Sequence, residues 1–204
     1  SEKTAGDAVV EEARKGFDLL VVGMDEVIGA DGDFVGAVEA VASGFEGPLA
    51  IVAARARHLK DPAGEAFRIL VPVSGSTVSR RGAEVAVALA RTSSYPLRVI
   101  YVATTRDKGT RRRTASVSLF QEEAILKETI ALAARYDVDV STTLRTNTAP
   151  EEAILQEASE SQIDLVVMGV DRIPGDSLNF GTVAAEVLKR SKASVLLVSN
   201  GDNK

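Results

Sequence analysis

Apolar residues along most of this chain fall into two alternating patterns. Short continuous runs bounded by Ser, Gly or Pro read as buried strands, and segments with apolar spacing of three and four read as amphipathic helices. Phe67–Val73 is a run of the first kind, ended by Ser74-Gly75-Ser76. Val78, Gly82, Val85, Ala86 and Leu89 follow at helical spacing, and Leu97–Val102, entered through Tyr95-Pro96, is a second strand. Leu126, Ile130 and Ala133 mark another helix, ahead of a strand near Val138–Val140. Thr148-Ala149-Pro150-Glu151 has the capping-box spacing with Pro in the first turn, and opens a helix through Ile154, Leu155 and Ala158. A strand at 163–169, a helix from about Thr182 and a final strand Ala193–Ser199 complete the series. Strands that alternate with helices predict an α/β fold with an open parallel sheet covered on both faces.

The pattern also repeats. Phe17-Asp18-Leu19-Leu20-Val21-Val22-Gly23-Met24-Asp25 matches Ile163-Asp164-Leu165-Val166-Val167-Met168-Gly169-Val170-Asp171 at an offset of 146 positions. At the same offset Phe34 falls on Phe180, Val41 on Val187, and Leu49–Val52 on Val195–Val198. An ungapped match over about fifty residues points to a duplicated unit. About eighty residues that precede the second copy have no counterpart ahead of the first. Residues 1–56 therefore read as the C-terminal part of one unit, 57–66 as a linker, and 67–199 as a complete unit. The linker stretch His58–Glu65 is polar and carries Pro62 and Gly64, and its His58 reads as a surface residue without a partner. Two strands and two helices make a marginal core alone, so the partial unit must bury its apolar strands against something.

Composition narrows the chemistry. The 204 residues carry a net charge of −5, and aromatic residues make up 4% with no Trp. Nucleic-acid surfaces are usually basic and rich in stacking side chains, so a nucleic-acid partner is not expected. There are no cysteines and a single histidine, His58, which removes disulfides, thiolate chemistry and His-rich metal sites. Neither catalytic residues nor metal ligands are expected. Asp25 and Asp171 occupy equivalent repeat positions and do not form an acid–base pair. No apolar run is long enough to span a bilayer and no signal-peptide pattern opens the sequence, which suggests a cytoplasmic chain.

In open parallel sheets ligands bind beyond the carboxyl ends of the strands, where strand order reverses. Three such ends carry candidate chemistry: Ser74-Gly75-Ser76, Val102-Ala103-Thr104 and Gly169-Val170-Asp171-Arg172. After the last of these a loop leads to Gly181-Thr182-Val183 at the start of a helix. Amides at a helix N-terminus attract phosphate, Gly lets it come close, Thr182 offers a hydroxyl and Arg172 a cation. Equally, Gly181 serves a turn and Thr182 caps its helix. A basic cluster, Arg106, Lys108, Arg111, Arg112 and Arg113, follows the second strand and is either a solvated loop or a contact for phosphate, acidic lipid or an acidic partner.

These segments resemble the universal stress protein family over residues 67–199, with 1–56 like the tail of a second copy. The resemblance implies a Rossmann-like, adenine-nucleotide alpha-hydrolase-like sandwich acting as a regulatory binding module. Family members usually carry Gly-x-x-Gly, a nine-residue spacer and Gly-Ser/Thr, a loop that holds phosphates in the ATP-binding branch. Gly169, Gly181 and Thr182 match, whereas Arg172 replaces the second Gly and the spacer is one residue shorter. Ser74 stands where the family typically has an Asp for the nucleotide, Val102 matches the position lining adenine, and Met168 the residue before the loop. The resemblance thus implies a site for ATP, ADP or AMP, intact or degenerate, at Ser74, Val102, Met168, Gly169, Arg172, Gly181, Thr182 and Val183. Val102 and Met168 would flank the base, Gly169, Gly181 and Thr182 would supply phosphate donors, and Arg172 would neutralise charge. In the first copy Gly23-Met24-Asp25-Glu26 and Val35-Gly36 depart further, Glu26 would repel phosphate, and that half-site reads as structural. Related domains commonly pair through their last strands, which implies pairing of 48–53 with 194–199, within the chain or in a homo-oligomer, with Ile51 and Val52 buried. The sequence is also similar to the cytoplasmic tails of some bacterial monovalent cation/proton antiporters, which implies as an alternative a dimerising, non-nucleotide regulatory tail tethered to a membrane domain.

Overall fold

The computed structural model describes residues 19–24, 45, 47–61, 67–103, 114–172 and 180–201. Within these, β1 is Leu20–Met24, β2 Leu49–Ala53, α1 Arg57–Lys60, β3 Ile69–Val73, α2 Thr77–Ala90, β4 Leu97–Ala103, α3 Thr114–Ala134, β5 Val140–Thr146, α4 Pro150–Glu160, β6 Leu165–Val170, α5 Thr182–Arg190 and β7 Ser194–Ser199. The seven strands form one sheet in the order β1-β2-β7-β6-β3-β4-β5. Every neighbouring pair is parallel except β2 with β7. This is the open α/β sheet expected from the sequence pattern. From β3 the chain winds first outward through β4 and β5, then returns to β6 on the other side, so strand order reverses between β3 and β6.

Alternation along the strands builds two cores. Leu70, Ile100, Val166, Val195 and Leu197 face Ala153 and Ile154 of α4 and Val187 and Leu188 of α5. Their neighbours Val71, Val99, Val167, Leu196 and Val198 face Ala83, Ala86 and Val87 of α2. The inner strands are apolar on both faces because both faces are covered. β5, at the sheet edge, reads Val-Ser-Thr-Thr-Leu-Arg-Thr and is half-buried at best.

The last-strand pairing is made within the chain. β2 runs antiparallel to β7 from Leu49 opposite Ser199 to Ala53 opposite Val195, with Ile51 opposite Leu197 at the centre. Ile51 is buried and Val52 half-buried. β2 thereby occupies the edge of β7 that a second copy would need. β1 joins β2 in the register Leu20 to Leu49, and Val166 pairs with Val195 on the other side, each residue 146 positions on.

Side chains staple this seam. The Arg55 guanidinium donates to the carbonyls of Leu188 and Ser191, the latter at 2.8 Å, capping the end of α5. Partial burial pushes the Arg55 pKa down from its ordinary value. His58, expected to lack a partner, is half-buried: Nδ1 lies 2.8 Å from Ser194 Oγ and its ring meets Phe67 edge-on at 5.7 Å. The stretch read as a linker thus begins with a helical turn packed on β7. The helix cap at 148–151 also differs from expectation. Ala149 is the N-cap and makes no side-chain bond, with Pro150 starting the helix, so Thr148 does not close a capping box.

Candidate functional site

A cavity of about 540 Å³ opens beyond the carboxyl ends of β3, β4 and β6, at the reversal of strand order. Its wall is mostly apolar: Ile100, Val102, Ile154, Met168, Phe180 and Val183. Ser74, Ser79 and Asp171 are polar residues of its lining. Predominantly apolar pockets with a few convergent polar groups are the usual form of a small-molecule site.

The floor depends on two glycines that let backbone touch backbone. A Cβ at Gly169 would stand 1.7 Å from the Val78 carbonyl oxygen, and one at Gly82 would stand 2.5 Å from the Gly169 nitrogen. The first turns of α2 therefore lie directly on the end of β6. Gly82 sits in the amphipathic pattern of its helix and carries no local sign of this role. The β3–α2 turn is fixed by serines: Ser79 N–H donates to Ser76 Oγ at 3.2 Å, Ser74 N–H to Ser79 Oγ at 3.1 Å, and Ser74 Oγ to Ser76 Oγ at 3.1 Å. Gly75 turns the chain there at φ 80°. Ser74 itself is exposed at the cavity rim.

On the opposite wall, Gly181 holds φ 86° and ψ 158° as the N-cap of α5 without a side-chain cap bond. Ala185 N–H donates to Gly181 O at 3.1 Å, the first bond of the helix. Helix geometry leaves the amides of the first turn without intrahelical acceptors. Val183 and Ala184 of that turn line the cavity, whereas Gly181 and the exposed Thr182 are not part of its lining. Burial pushes the Tyr101 phenol up, and the carboxylate of Glu122 adds to the shift. The Tyr101 side chain packs with Ile125 and Leu126 of α3, on the face of the sheet opposite Val102 and Met168.

Five of the residues expected to form the site, Ser74, Val102, Met168, Gly169 and Val183, thus line one cavity. Gly181 and Thr182 are adjacent, at the helix terminus. Arg172 is a correction. Its guanidinium donates at 2.6 Å to the carbonyl of Phe45 and at 2.6 Å to that of Gly47, and its Nε lies 3.2 Å from Ser199 Oγ. The cation expected over phosphate instead ties the end of β6 to the β2–β7 seam, because carbonyls before β2 accept from it. The basic cluster 106–113, the loop 173–179 and the first-copy positions Asp25, Glu26, Phe34, Val35, Gly36 and Val41 lie outside the described residues.

One further charged cluster sits away from the cavity. Glu157 of α4 is 3% exposed and accepts from Arg98 at 2.9 Å, Arg145 at 2.8 Å, Thr143 at 3.3 Å and Ser161 at 3.1 Å. Burial alone would push its carboxyl up, but hydrogen bonds from Arg145 and Ser161 with the charges of Arg98 and Arg145 outweigh it and hold the pKa below the ordinary value. The cluster fastens α4, and so one wall of the cavity, to β4 and β5. Among the described residues, no group of three His, Cys, Asp or Glu side chains is gathered to hold a metal, and no helix is long and apolar enough to cross a membrane.

Comparison with protein families matches residues 66–199 to the universal stress protein family. Comparison with curated proteins finds no match. Among solved structures, a universal stress protein from Archaeoglobus fulgidus is 22% identical over 65% of this chain and 98% of its own, with a TM-score of 0.55. A second, from Archaeoglobus fulgidus DSM 4304, is 21% identical over 97% of this chain and 67% of its own, with a TM-score of 0.61. A universal stress protein solved in complex with cAMP is 24% identical over 66% of this chain and 98% of its own, with a TM-score of 0.51.

Proposed function

The chain belongs to the universal stress protein family, and on that premise we propose that it is a regulatory binding module whose adenine-nucleotide site is the cavity beyond β3, β4 and β6. The observation that carries this is the convergence of Ser74, Val102, Met168, Gly169 and Val183 on one mostly apolar pocket beside a helix N-terminus. In this reading the base lies between Val102 and Met168, and the first turn of α5, which opens at Gly181 and Thr182, receives phosphate. The complex of a similar protein with cAMP supports a ligand of this class. No catalytic step is assigned, and the expected location is the cytoplasm.

We also read residues 1–56 as the C-terminal part of a second unit, 57–66 as the connection and 67–199 as the complete unit. The shared offset of the β1–β2 and β6–β7 registers supports this division.

Withdrawal of Arg172 from the cavity favours a second reading in which the phosphate site is degenerate and the chain works by association, as the regulatory tail of a cation/proton antiporter. Calorimetric titration with ATP, ADP and AMP, with and without Mg²⁺, separates the two. Micromolar binding lost in Val102→Phe, which fills the pocket from a half-buried position, supports the nucleotide site. No heat at millimolar nucleotide refutes it in favour of association. Gly181→Val is a poorer probe, because φ 86° would strain any side chain there and confound binding with folding.

A further inference from the structure

The pairing of β3 with β6 covers only Ile69–Leu165 and Leu70–Val166, so the carboxyl half of β6 has a paired strand on one side, β7. The cavity opens where the two strands part, and its rim, Val170 and Asp171, rests on β7. That support continues into the partial unit. Val170 pairs with Ser199, and Ser199 pairs with Leu49 of β2. The buried Ser199 hydroxyl donates to the Leu49 carbonyl at 3.3 Å and accepts from Arg172 Nε at 3.2 Å. Arg172, next to the rim yet outside the cavity lining, also donates to the Phe45 and Gly47 carbonyls at 2.6 Å each. Phe45 is buried and belongs to the apolar cluster that contains Met168, Val170 and Phe180 of the cavity wall. Its ring lies so close over Gly47 that a Cβ would not fit there. Asp171 is thus the single residue between a strand end and an anchored guanidinium, and both supports lead to Phe45, Gly47 and Leu49.

Resting on the nucleotide reading above, we infer that the partial unit is a working part of the site. Phe45, Gly47 and Leu49 set the β6 rim through Arg172 and Ser199, which makes nucleotide affinity and the docking of β2 on β7 mutually dependent. Arg172 is a positioning residue in this role. A ligand that packs on Val170 and Asp171 needs the rim in one place, and the clasp already holds it there. The rim's freedom is lost once for both events, so the coupling is positive, and linkage makes it reciprocal.

The test is calorimetry with AMP and with uncharged adenosine on the parent chain, Arg172→Ala and Arg55→Ala, joined to backbone hydrogen exchange with and without AMP. Arg55 staples the same seam at its other end, on the carbonyls of Leu188 and Ser191, so Arg55→Ala controls for lost stability alone. Arg172→Ala is expected to weaken both ligands about fivefold, and Arg55→Ala neither. AMP is expected to slow exchange in Leu49–Ala53 more than in Val140–Thr146, at the opposite edge of the sheet, in the parent but not in Arg172→Ala. A loss confined to AMP assigns Arg172 to phosphate charge and overturns the inference. So does an equal loss in Arg55→Ala, or no loss in a folded Arg172→Ala. If Arg172→Ala does not fold, the parent decides: AMP that slows β2 no more than β5 overturns the coupling. Each of these results leaves the nucleotide site standing, whereas a parent that binds neither ligand overturns that site and the inference with it.

Discussion

Helix propensity alone makes Gly82→Ala favourable by about 1 kcal/mol, since Gly82 lies inside α2. The fold reverses that sign. The new Cβ would stand 2.5 Å from the Gly169 nitrogen, 3.0 Å from its Cα and 3.2 Å from the Met168 carbonyl carbon. All three are backbone atoms of a central strand, and none can rotate away. Relief requires α2 to lift from β6, which loosens Ala83, Ala86 and Val87 against the sheet. Overpacking of this kind costs about 1–3 kcal/mol, and three backbone contacts place this case in the upper half. After the propensity gain the expected destabilisation is about 1–2 kcal/mol. For a chain of this length that lowers Tm by roughly 2–8 °C. Gly169→Ala is worse, because its Cβ would stand 1.7 Å from the Val78 oxygen, with no helix propensity to offset it. Urea unfolding of the two variants beside the parent, followed by circular dichroism, measures both. A midpoint raised by Gly82→Ala, or Gly169→Ala no worse than Gly82→Ala, would refute the backbone contact between α2 and β6.

Other expectations follow from the same geometry. Arg172→Ala removes two charge-assisted donors from carbonyls before β2, and is expected to destabilise the chain by about 2–3 kcal/mol; the measurement is the urea midpoint, and an unchanged one would mean the guanidinium is not held at the seam. Glu157 has a folded-state pKa below its ordinary value of 4.5, so its contribution is fully present above that value and is lost as pH falls through the lower folded value. The fall in stability on acidification below about pH 4.5 should therefore shrink in Glu157→Gln, whose stability at pH 7 should already be reduced; an acid limb as steep as the parent's would contradict this.

How far the sequence could be read depended on the range of each interaction. The strands were legible because continuous runs such as Leu70–Val73 and Val195–Val198 carry their burial in their composition. The β2–β7 pairing was legible because the family resemblance implies pairing through last strands, and the repeat marked both segments as such. Gly169 was found through its loop motif, and its partner Gly82 was not, since a close crossing of α2 over β6 joins residues 87 positions apart in the chain. Arg172 was placed correctly in the loop but not in direction. Its acceptors, the Phe45 and Gly47 carbonyls, are backbone atoms on another strand's approach and leave no trace in local spacing. His58 was missed for the same reason: Ser194, its partner, is 136 positions away.

The central claim is that the pocket between β3, β4 and β6 is the nucleotide site. Backbone amide NMR of the labelled chain titrated with AMP tests it directly, because it reports place as well as affinity. The account predicts saturable shifts concentrated at Ser74, Val102, Met168–Asp171 and Gly181–Ala184, and their loss in Val102→Phe. Shifts confined to other elements, or none at millimolar AMP, would contradict it.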